Sequence, residues 1–267
     1  MNRILDEIKL NKNLRSALED YYAYNKEKIN RLADKCKQNG FAFMQKKDDM
    51  TRLAVSLVYA ERYTLPMYND LGIDEKIFFD TMADIIIWCE NNNNNGLKNI
   101  GWIKNHLCCE LFKVGRLQYQ IDKARNVTFD YDCLPFDFGD NIVNIHIPQG
   151  EPLSFSACVE SVQNGKEFLK KYFPDFIYEY MVCESWLMYD NNYLFMESGC
   201  NILQFQSMFD IVYSSQDDRQ AIERIFGKRR IIKSSYPENT TLQRNAKKYL
   251  LSGRKLGNGL GILKRNN

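Results

Sequence analysis

His146 is the best-placed candidate for acid–base chemistry in the sequence. It ends an apolar segment, residues 142–147, just before Pro148, which predicts a strand whose last side chains emerge at the edge of a sheet. An imidazole there can accept a proton near neutral pH, because its ordinary pKa is about 6.5. A histidine that is hydrogen-bonded to a loop carbonyl is the alternative, and the sequence leaves both open.

Glu184 is the second candidate, within the run Val-Cys-Glu-Ser-Trp at 182–186. Burial inside an apolar strand raises the pKa of a carboxyl group and makes it a better base near neutral pH. A position on a solvent-facing strand edge is the alternative. Ser185 is counted with the catalytic candidates, whereas Cys183 is interpreted as an inert core thiol, because a nucleophilic cysteine needs a base beside it.

Two arginines and two glutamines are candidates for ligand binding. Arg116 and Arg244 can each hold a carboxylate or phosphate through two hydrogen bonds, or can instead join two parts of the chain in an ion pair. Gln118 and Gln206 can line a cleft or anchor loops.

The first part of the chain is predicted to be helical. Apolar residues recur at helical spacing over 50–58 and 73–86, and a long helix is predicted over 11–38. A further helix is predicted over 97–112, after a run of asparagines. Residues 1–113 are therefore predicted to form a helical N-terminal domain.

In the remainder, residues 114–267, strands alternate with helices. Strands are predicted at 116–121, 126–132, 142–147, 178–188, 209–214 and 256–264. Helices are predicted at 154–172, 201–208, 217–227 and 240–253. This alternation indicates an α/β or α+β fold in which a mixed β-sheet is flanked by helices.

Charge is spread unevenly along the chain. The net charge is only +2, yet the segment from Gln216 onward holds 13 Lys/Arg residues against 4 Asp/Glu residues. Such a segment fits a phosphate-rich ligand, nucleic acid or simply solvent. Nucleic acid is not expected as a partner, because the basic residues are not interleaved with aromatic residues and no recognition motif is present.

Cysteine usage and hydropathy predict a cytoplasmic protein. No apolar run approaches the 18 residues of a membrane span and no apolar leader segment is present, so no membrane partner is expected. The eight cysteines lack paired spacing, which predicts reduced thiols. With only two histidines as further ligands, no metal site is expected.

An ordered set of short motifs runs through the second half. Its members are Val-Gly-Arg-Leu-Gln-Tyr (114–119), His-Ile-Pro-x-Gly-x-Pro-Leu (146–153), Cys-x-Ser-Trp-Leu (183–187), Asn-Ile-x-x-Phe-Gln-x-x-Phe (201–209), Thr-Leu-Gln-Arg (241–244) and Gly-x-Gly-x-Gly (257–261). In order and spacing this set resembles the GNAT-like C-terminal domain of acyltransferases. The helical half resembles the N-terminal domain of the same family.

The resemblance implies a bacterial, cytoplasmic N-acyltransferase. Such an enzyme moves an acyl group, of the acetyl type, from acyl-CoA to the amine of a small-molecule acceptor and uses no metal. The resemblance then implies roles for the residues above: catalysis by His146, Glu184 and Ser185, and binding of the acyl-CoA by Arg244. The expected substrate-binding residues are Arg116, Gln118 and Gln206. A catalytically degenerate GNAT-like protein that binds CoA or another small molecule is the alternative, as is an interaction protein. Fold-level likeness does not decide between them.

The resemblance also implies a cradle for the CoA pyrophosphate. The superfamily uses the pattern [Arg/Gln]-x-x-Gly-x-[Gly/Ala], which Arg254, Gly257 and Gly259 satisfy, so these residues are expected to bind the cofactor. The segment follows a predicted helix, however, and too few residues follow it for a second one. Alternatively, Gly257, Gly259 and Gly261 lie on one face of the last strand and leave that face bare for a close neighbour.

Overall fold

A computed structural model describes residues 2–90, 96–125 and 134–265, with helices first and a six-stranded sheet after them. The helices are α1 (Asn2–Glu7), α2 (Lys12–Asn39), α3 (Asp49–Tyr59), α4 (Leu65–Asp70), α5 (Glu75–Glu90), α6 (Ile100–Leu107), α7 (Phe155–Tyr172), α8 (Asn201–Gln206), α9 (Arg219–Phe226) and α10 (Thr241–Leu251). The strands are β1 (Leu111–Val114), β2 (Leu117–Lys123), β3 (Asn141–His146), β4 (Tyr180–Ser185), β5 (Asp210–Ser215) and β6 (Asn258–Lys264). The predicted fold class is confirmed.

Side-chain caps start the N-terminal helices where the sequence predicts them. Asn11 Oδ1 accepts the backbone N–H of Leu14 at 2.9 Å before α2, and Asp48 Oδ1 accepts that of Thr51 at 2.8 Å before α3. The helices predicted over 11–38, 50–58 and 73–86 are confirmed. None of the helices in the described ranges is long and apolar enough to cross a membrane.

The helix predicted over 97–112 is wrong in its second half. Helix α6 ends at Leu107, Cys109 adopts a left-handed backbone with φ +56°, and Leu111–Val114 forms strand β1. β1 pairs antiparallel with β2 and is largely buried, so a tertiary contact overrides the local helical periodicity. The predicted strand 116–121 is β2, but its predicted partner at 126–132 lies outside the described residues.

The sheet has the order β1-β2-β3-β4-β6-β5 and is antiparallel except between β3 and β4. These two parallel strands pair only from Ile142–Tyr180 to Asn144–Val182. Both strands continue beyond the last pair, β3 to His146 and β4 to Ser185, without a further ladder contact between them in the described residues. We call this opening the strand gap.

The two faces of the sheet differ in what covers them. Helix α7 lies on one face, where Tyr119, Val143 and Met181 join a core that is continuous with the N-terminal helices. The Tyr119 hydroxyl lies 3.0 Å from Ser161 Oγ of α7, so the helix is fixed to the sheet by a buried hydrogen bond as well as by packing. The side chains that alternate with these residues form the opposite face, which is polar near the strand gap.

Helices α9 and α10 form an insertion between β5 and β6 with a small core of their own. The insertion is joined to the end of β4, because the Trp186 backbone N–H donates to Gln220 Oε1 at 2.6 Å. The predicted elements at 217–227, 240–253 and 256–264 are confirmed. The strand predicted over 178–188 is shorter, because β4 ends at Ser185 and a 3₁₀ turn follows.

The seven cysteines in the described part of the chain are thiols rather than disulfides, and the eighth, Cys133, lies outside it. Burial raises the pKa of Cys36, Cys109 and Cys183 to about 12. A thiol with that pKa is protonated and weakly nucleophilic at neutral pH, which agrees with a core role for Cys183. Over the same ranges, no group of three or more His, Cys, Asp or Glu residues is placed to hold a metal ion.

Candidate functional site

His146 and Glu184 stand on opposite sides of the strand gap. Asn144 and Val182 form the last pair between β3 and β4, and the two candidates each follow two residues later. Because strand side chains alternate between faces, His146 and Glu184 emerge on the same face of the sheet. The structure therefore places the two residues that the sequence singled out separately on one face of the sheet, on either side of the strand gap.

The hydrogen bonds of His146 fix its tautomer. Its Nε2 lies 2.8 Å from Oε1 of Gln120, and Nε2 of Gln120 donates to Asp122 Oδ2 at 3.3 Å. An ionised carboxylate only accepts, so the amide nitrogen of Gln120 faces Asp122 and its oxygen faces the imidazole. His146 therefore carries its proton on Nε2 and keeps the Nδ1 lone pair available. Its partner is a side chain of the neighbouring strand rather than a loop carbonyl.

His146 is neutral at physiological pH. Burial and, to a lesser extent, the nearby His106 lower its pKa to about 4, while Asp84 acts in the opposite direction. A neutral imidazole with a free lone pair is the form that accepts a proton. The His146 side chain is only partly exposed, so a proton can reach its Nδ1 only from the side that the surrounding protein leaves open.

The protonation of His146 predicts a pH-dependent stability. As the pH falls, the unfolded chain takes up this proton near the ordinary pKa of about 6.5, before the folded chain does near pH 4. The stabilisation is therefore complete above pH 6.5 and is lost towards pH 4, by about 2 kcal/mol after allowance for partial exposure. Urea unfolding between pH 7.5 and 4.5 measures this loss, which should be smaller in His146→Gln. If the free energy of unfolding fell equally with pH in the parent and in His146→Gln, the prediction would be wrong.

Three residues of the helical half lie behind His146. Nε2 of His106 is 2.9 Å from Asp84 Oδ2, and its Nδ1 is 3.1 Å from the carbonyl oxygen of Trp102. Both partners accept hydrogen bonds, so each ring nitrogen of His106 faces an acceptor in the core. The Trp102 ring stands edge-to-face to both imidazoles, with centroids 5.4 Å from His106 and 4.7 Å from His146.

Asp84 is ionised despite being 3% exposed. Burial alone raises the pKa of this carboxyl group, but hydrogen bonding and charge from His106 bring it below its usual range. Gln118 and Trp102 lie close enough to lower it further. Even so, Nε2 of Gln118 and Nε1 of Trp102 are buried without a partner of good hydrogen-bond geometry in the described residues. Gln118 pairs with His146 across β2 and β3, so its amide lies beside the site and close to Asp84.

Glu184 is exposed at the other side of the strand gap and accepts a hydrogen bond from Asn258 Nδ2 at 3.3 Å. Partial burial of the carboxyl group raises its pKa, and the charge of Asp217 adds to this while Asn258 opposes it. Ser185 is turned to the opposite face, where its Oγ accepts the Leu187 N–H at 3.2 Å. Its contacts favour a role in the turn after β4.

Arg116 holds the loop between β3 and α7, residues 147–154. Its Nε, Nη1 and Nη2 donate to the carbonyl oxygens of Pro152, Pro148 and Glu151 at 3.0, 3.0 and 2.8 Å. Arg116 is 6% exposed. Its three contacts therefore favour a role in positioning the loop over the predicted role in binding substrate.

The remaining binding candidates make local contacts. Gln206 Nε2 donates to the Tyr189 carbonyl at 2.7 Å, which favours the loop-anchor alternative. Arg244 donates to the Glu238 carbonyl at 3.1 Å and to Thr241 Oγ1 at 2.9 Å, and Arg254 lies over the ring of Tyr249. None of these contacts, all within the described residues, is with a residue at the strand gap.

Close packing accounts for the glycines of the last strand. A Cβ on Gly257 would collide with Ser215 O and Tyr189, and one on Gly259 with the Met188 carbonyl. Both residues precede or lie in β6 rather than preceding a helix. The geometry thus favours the close-neighbour interpretation of these glycines over the phosphate cradle.

The loop 147–154 has the strand–loop–helix context that the Arg254 segment lacks. It runs from β3, at the strand gap, to the first turn of α7, where Ser154 Oγ accepts the Ala157 N–H at 3.4 Å. Gly150 has φ +112°, and no hydrogen-bond acceptor in the described residues faces its N–H or that of Gln149. Unpartnered amides ahead of a helix N-terminus form a candidate phosphate site.

The basic C-terminal segment surrounds a cavity of about 520 Å³ beside α9 and α10. Its cations are Arg229, Arg230 and Lys233, and its acid is Asp218, which pairs with Arg229. Nε of Arg230 is buried without a partner among the described residues. The cavity therefore carries an excess of positive charge.

The sequence matches two family descriptions that together span most of the chain. Residues 111–263 match the GNAT-like C-terminal domain, and residues 1–109 match the N-acyltransferase N-terminal domain. The chain belongs to this N-acyltransferase family. No curated protein matches the chain.

Solved structures with the same fold include acyltransferases. One, an acyltransferase mutant in complex with octanoyl-CoA, has a TM-score of 0.75 at 16% identity, covering 98% of this chain and 87% of that one. Another, in complex with decanoyl-CoA and teicoplanin, has a TM-score of 0.66 at 19% identity and covers 80% of this chain. This chain spans 66% of the latter's length. At these identities the likeness establishes the fold.

Sequence reasoning missed the contribution of the helical half to this site. Asp84 is the only charged residue in the apolar run 82–89, and His106 is one of only two histidines. A charged residue on a buried helix face requires a partner, and that rule could have predicted the contact between Asp84 and His106. The positions of Trp102 and Gln120 had no comparable signal.

Proposed function

We propose that this protein is an acyl-CoA-dependent N-acyltransferase that acts on the amine of a small molecule. The observation that carries the proposal is the strand gap, with the neutral, hydrogen-bonded His146 at its edge and Glu184 opposite. Family membership supports an acyl-transfer reaction, and the structures of relatives contain acyl-CoA.

The strand gap suits the pantetheine arm of CoA. Beyond Asn144 and Val182, the backbones of β3 and β4 no longer pair with each other. An extended chain that contains amide groups can pair with such an edge as an added strand does. A backbone N–H there can also donate to the thioester oxygen, which gains negative charge during the reaction. The unpartnered amides of the loop 147–154 then face the pyrophosphate.

His146 acts as the general base in this reaction. Its Nδ1 removes a proton from the acceptor ammonium, and the amine nitrogen attacks the thioester carbonyl carbon. The nitrogen loses a second proton as the tetrahedral intermediate collapses and the carbon–sulfur bond breaks. Of the two protons removed from the ammonium, the CoA thiolate takes up the one that His146 holds, and the other leaves to solvent. Glu184, exposed at the other side of the gap, attracts the acceptor ammonium through its carboxylate.

Acyl chain length is open within this proposal. The resemblance implies an acetyl-type group, whereas structures of relatives contain octanoyl-CoA and decanoyl-CoA. A series from acetyl-CoA to decanoyl-CoA, titrated calorimetrically, tests binding at each length. Failure of every member to bind would contradict the proposal.

Turnover is tested separately from binding. Free CoA should be quantified by chromatography with a panel of primary amines, because thiols of the chain that are partly exposed, such as that of Cys200, would react with a thiol dye. Amine-dependent release of CoA is the expected result. Binding without release for all amines would favour the catalytically degenerate alternative.

The basic cavity gives a further prediction for CoA affinity. If its charges attract the CoA phosphates, Arg230→Gln should weaken CoA binding roughly tenfold, as for one charge-assisted hydrogen bond. Arg244→Gln is the matched control, because it removes the same charge from a residue with local partners. Calorimetry at 50 and 300 mM salt should show the difference shrinking as salt rises. Equal effects of the two variants would indicate a diffuse field instead.

A further inference from the structure

Asp84 and His106 form a buried pair between α5 and α6. They are 3% and 0% exposed and lie beside apolar core residues such as Ile85 and Leu107. The desolvation of two buried charges commonly offsets their attraction, so such a pair is weak evidence for stability. What the pair faces therefore indicates a role beyond the stability of the helices.

The pair faces the site through Trp102. His106 donates from Nδ1 to the carbonyl oxygen of Trp102 one helical turn earlier, and the Trp102 ring stands against the His146 imidazole. Trp88 donates to the same Asp84 oxygen at 3.2 Å and lies 5.9 Å from the Trp102 ring. Asp84 thus contacts both His106 and Trp88, and Trp88 packs against the Trp102 ring that lies beside His146. We call this ring the Trp102 wall.

The charged and titratable groups around His146 come from four elements. They are Asp84 of α5, His106 of α6, Asp122 of β2, which acts through Gln120, and Glu184 of β4. In this set, drawn from the described residues, His106 is the group that acts on His146 as a positive charge does. A positive charge opposes protonation of a neighbouring imidazole.

We infer that Asp84 and His106 are positioning residues through which the helical half controls His146. The ion pair keeps a fixed positive charge and the Trp102 wall behind the imidazole, so that Nδ1 stays unprotonated and directed to the strand gap. The inference rests on the proposed function only in so far as His146 is the base. Its physical content, the coupling of the two histidines, can be measured without any substrate.

Histidine-selective isotope labelling measures this coupling directly, because the chain contains only two histidines. In the parent protein at pH 7.5, one ring should be doubly protonated and the other neutral with its proton on Nε2. In His106→Gln the remaining signal belongs to His146, and its titration midpoint should rise by about one pH unit. In Asp84→Asn, the His106 signal should lose its charged form at pH 7.5.

A matched control separates coupling from packing. Thr64→Val removes a buried hydrogen bond of 2.7 Å to the Leu107 carbonyl, at the end of the same helix α6, without a change in charge. It should lower the melting temperature and leave the His146 midpoint unchanged. If the enzyme turns over, the acid limb of its kcat/KM profile should move with the midpoint in His106→Gln and stay in place in Thr64→Val.

The outcomes are distinguishable from failure of the proposed function. Absence of CoA release by the parent protein contradicts the proposed function and leaves the two-histidine titration as the test of coupling. Two neutral rings in the parent at pH 7.5 would overturn the inference even if the variants do not fold. An unchanged His146 midpoint in folded His106→Gln would overturn it as well.

Discussion

Replacement of His146 by glutamine is expected to lower kcat/KM for acyl transfer by about 10²- to 10⁴-fold, the usual contribution of a general base. Glutamine keeps a side-chain N–H for Gln120 but has no lone pair that can take a proton from the acceptor ammonium. Calorimetry should give an acyl-CoA affinity close to that of the parent, because the proposed CoA contacts are made by backbone groups of the gap and the loop.

The pH profile sharpens this test. The parent should lose kcat/KM on the acid side near the pKa of His146, about 4, whereas the residual activity of His146→Gln should lack that limb. Gln163→Ala, which removes an exposed hydrogen bond to Glu167 on α7, serves as a control with full activity expected. Parent-like turnover by His146→Gln would exclude this residue as the base.

Local sequence signals predict much of the secondary structure. Capping residues such as Asn11, Asp48 and Ser154 act through hydrogen bonds to amides three positions later, so their effect is written in adjacent sequence. The end of α6 is different. Leu111 and Phe112 continue a helical pattern, but pairing of β1 with β2 and burial against the helices decide their conformation.

The candidate site could be predicted only in part from the sequence, again because tertiary contacts decide the rest. His146 and Glu184 stand out because each ends or interrupts an apolar strand, which is a local signal. That they face each other depends on the register of β3 and β4, which no short segment specifies. The contributions of Asp84 and His106 come from the other half of the chain and become visible only once the two halves are packed.

The Arg254 segment shows how a motif can mislead. Glycines with the spacing of a phosphate cradle are also the residues needed where backbones approach closely. Both situations require a residue without a Cβ atom. The context of the motif decides between them. Here the segment leads into a strand, whereas the loop 147–154 leads from a strand into a helix.

Gly259→Ala is expected to lower the free energy of unfolding by about 3 kcal/mol, at the upper end of the range for an overpacked core. The added Cβ would meet the Met188 carbonyl, and a backbone atom within the turn after β4 cannot move aside as a flexible side chain can. Gly259 pairs with Ser185 on β4 and with Ser214 on β5, so displacement of β6 would disturb both ladders. Urea unfolding at pH 7.5 measures the change.

Gly101→Ala is the matched control for this substitution. A Cβ there meets only Asn99 Oδ1, at 3.8 Å, which is an ordinary contact. Because Gly101 lies in α6, alanine should leave the stability unchanged or raise it by up to about 1 kcal/mol through helix propensity. If Gly259→Ala proved as stable as Gly101→Ala and instead lost CoA affinity, the glycines of β6 would have to be assigned to the phosphate cradle after all. Loss of stability with CoA affinity retained by the folded fraction assigns them to packing.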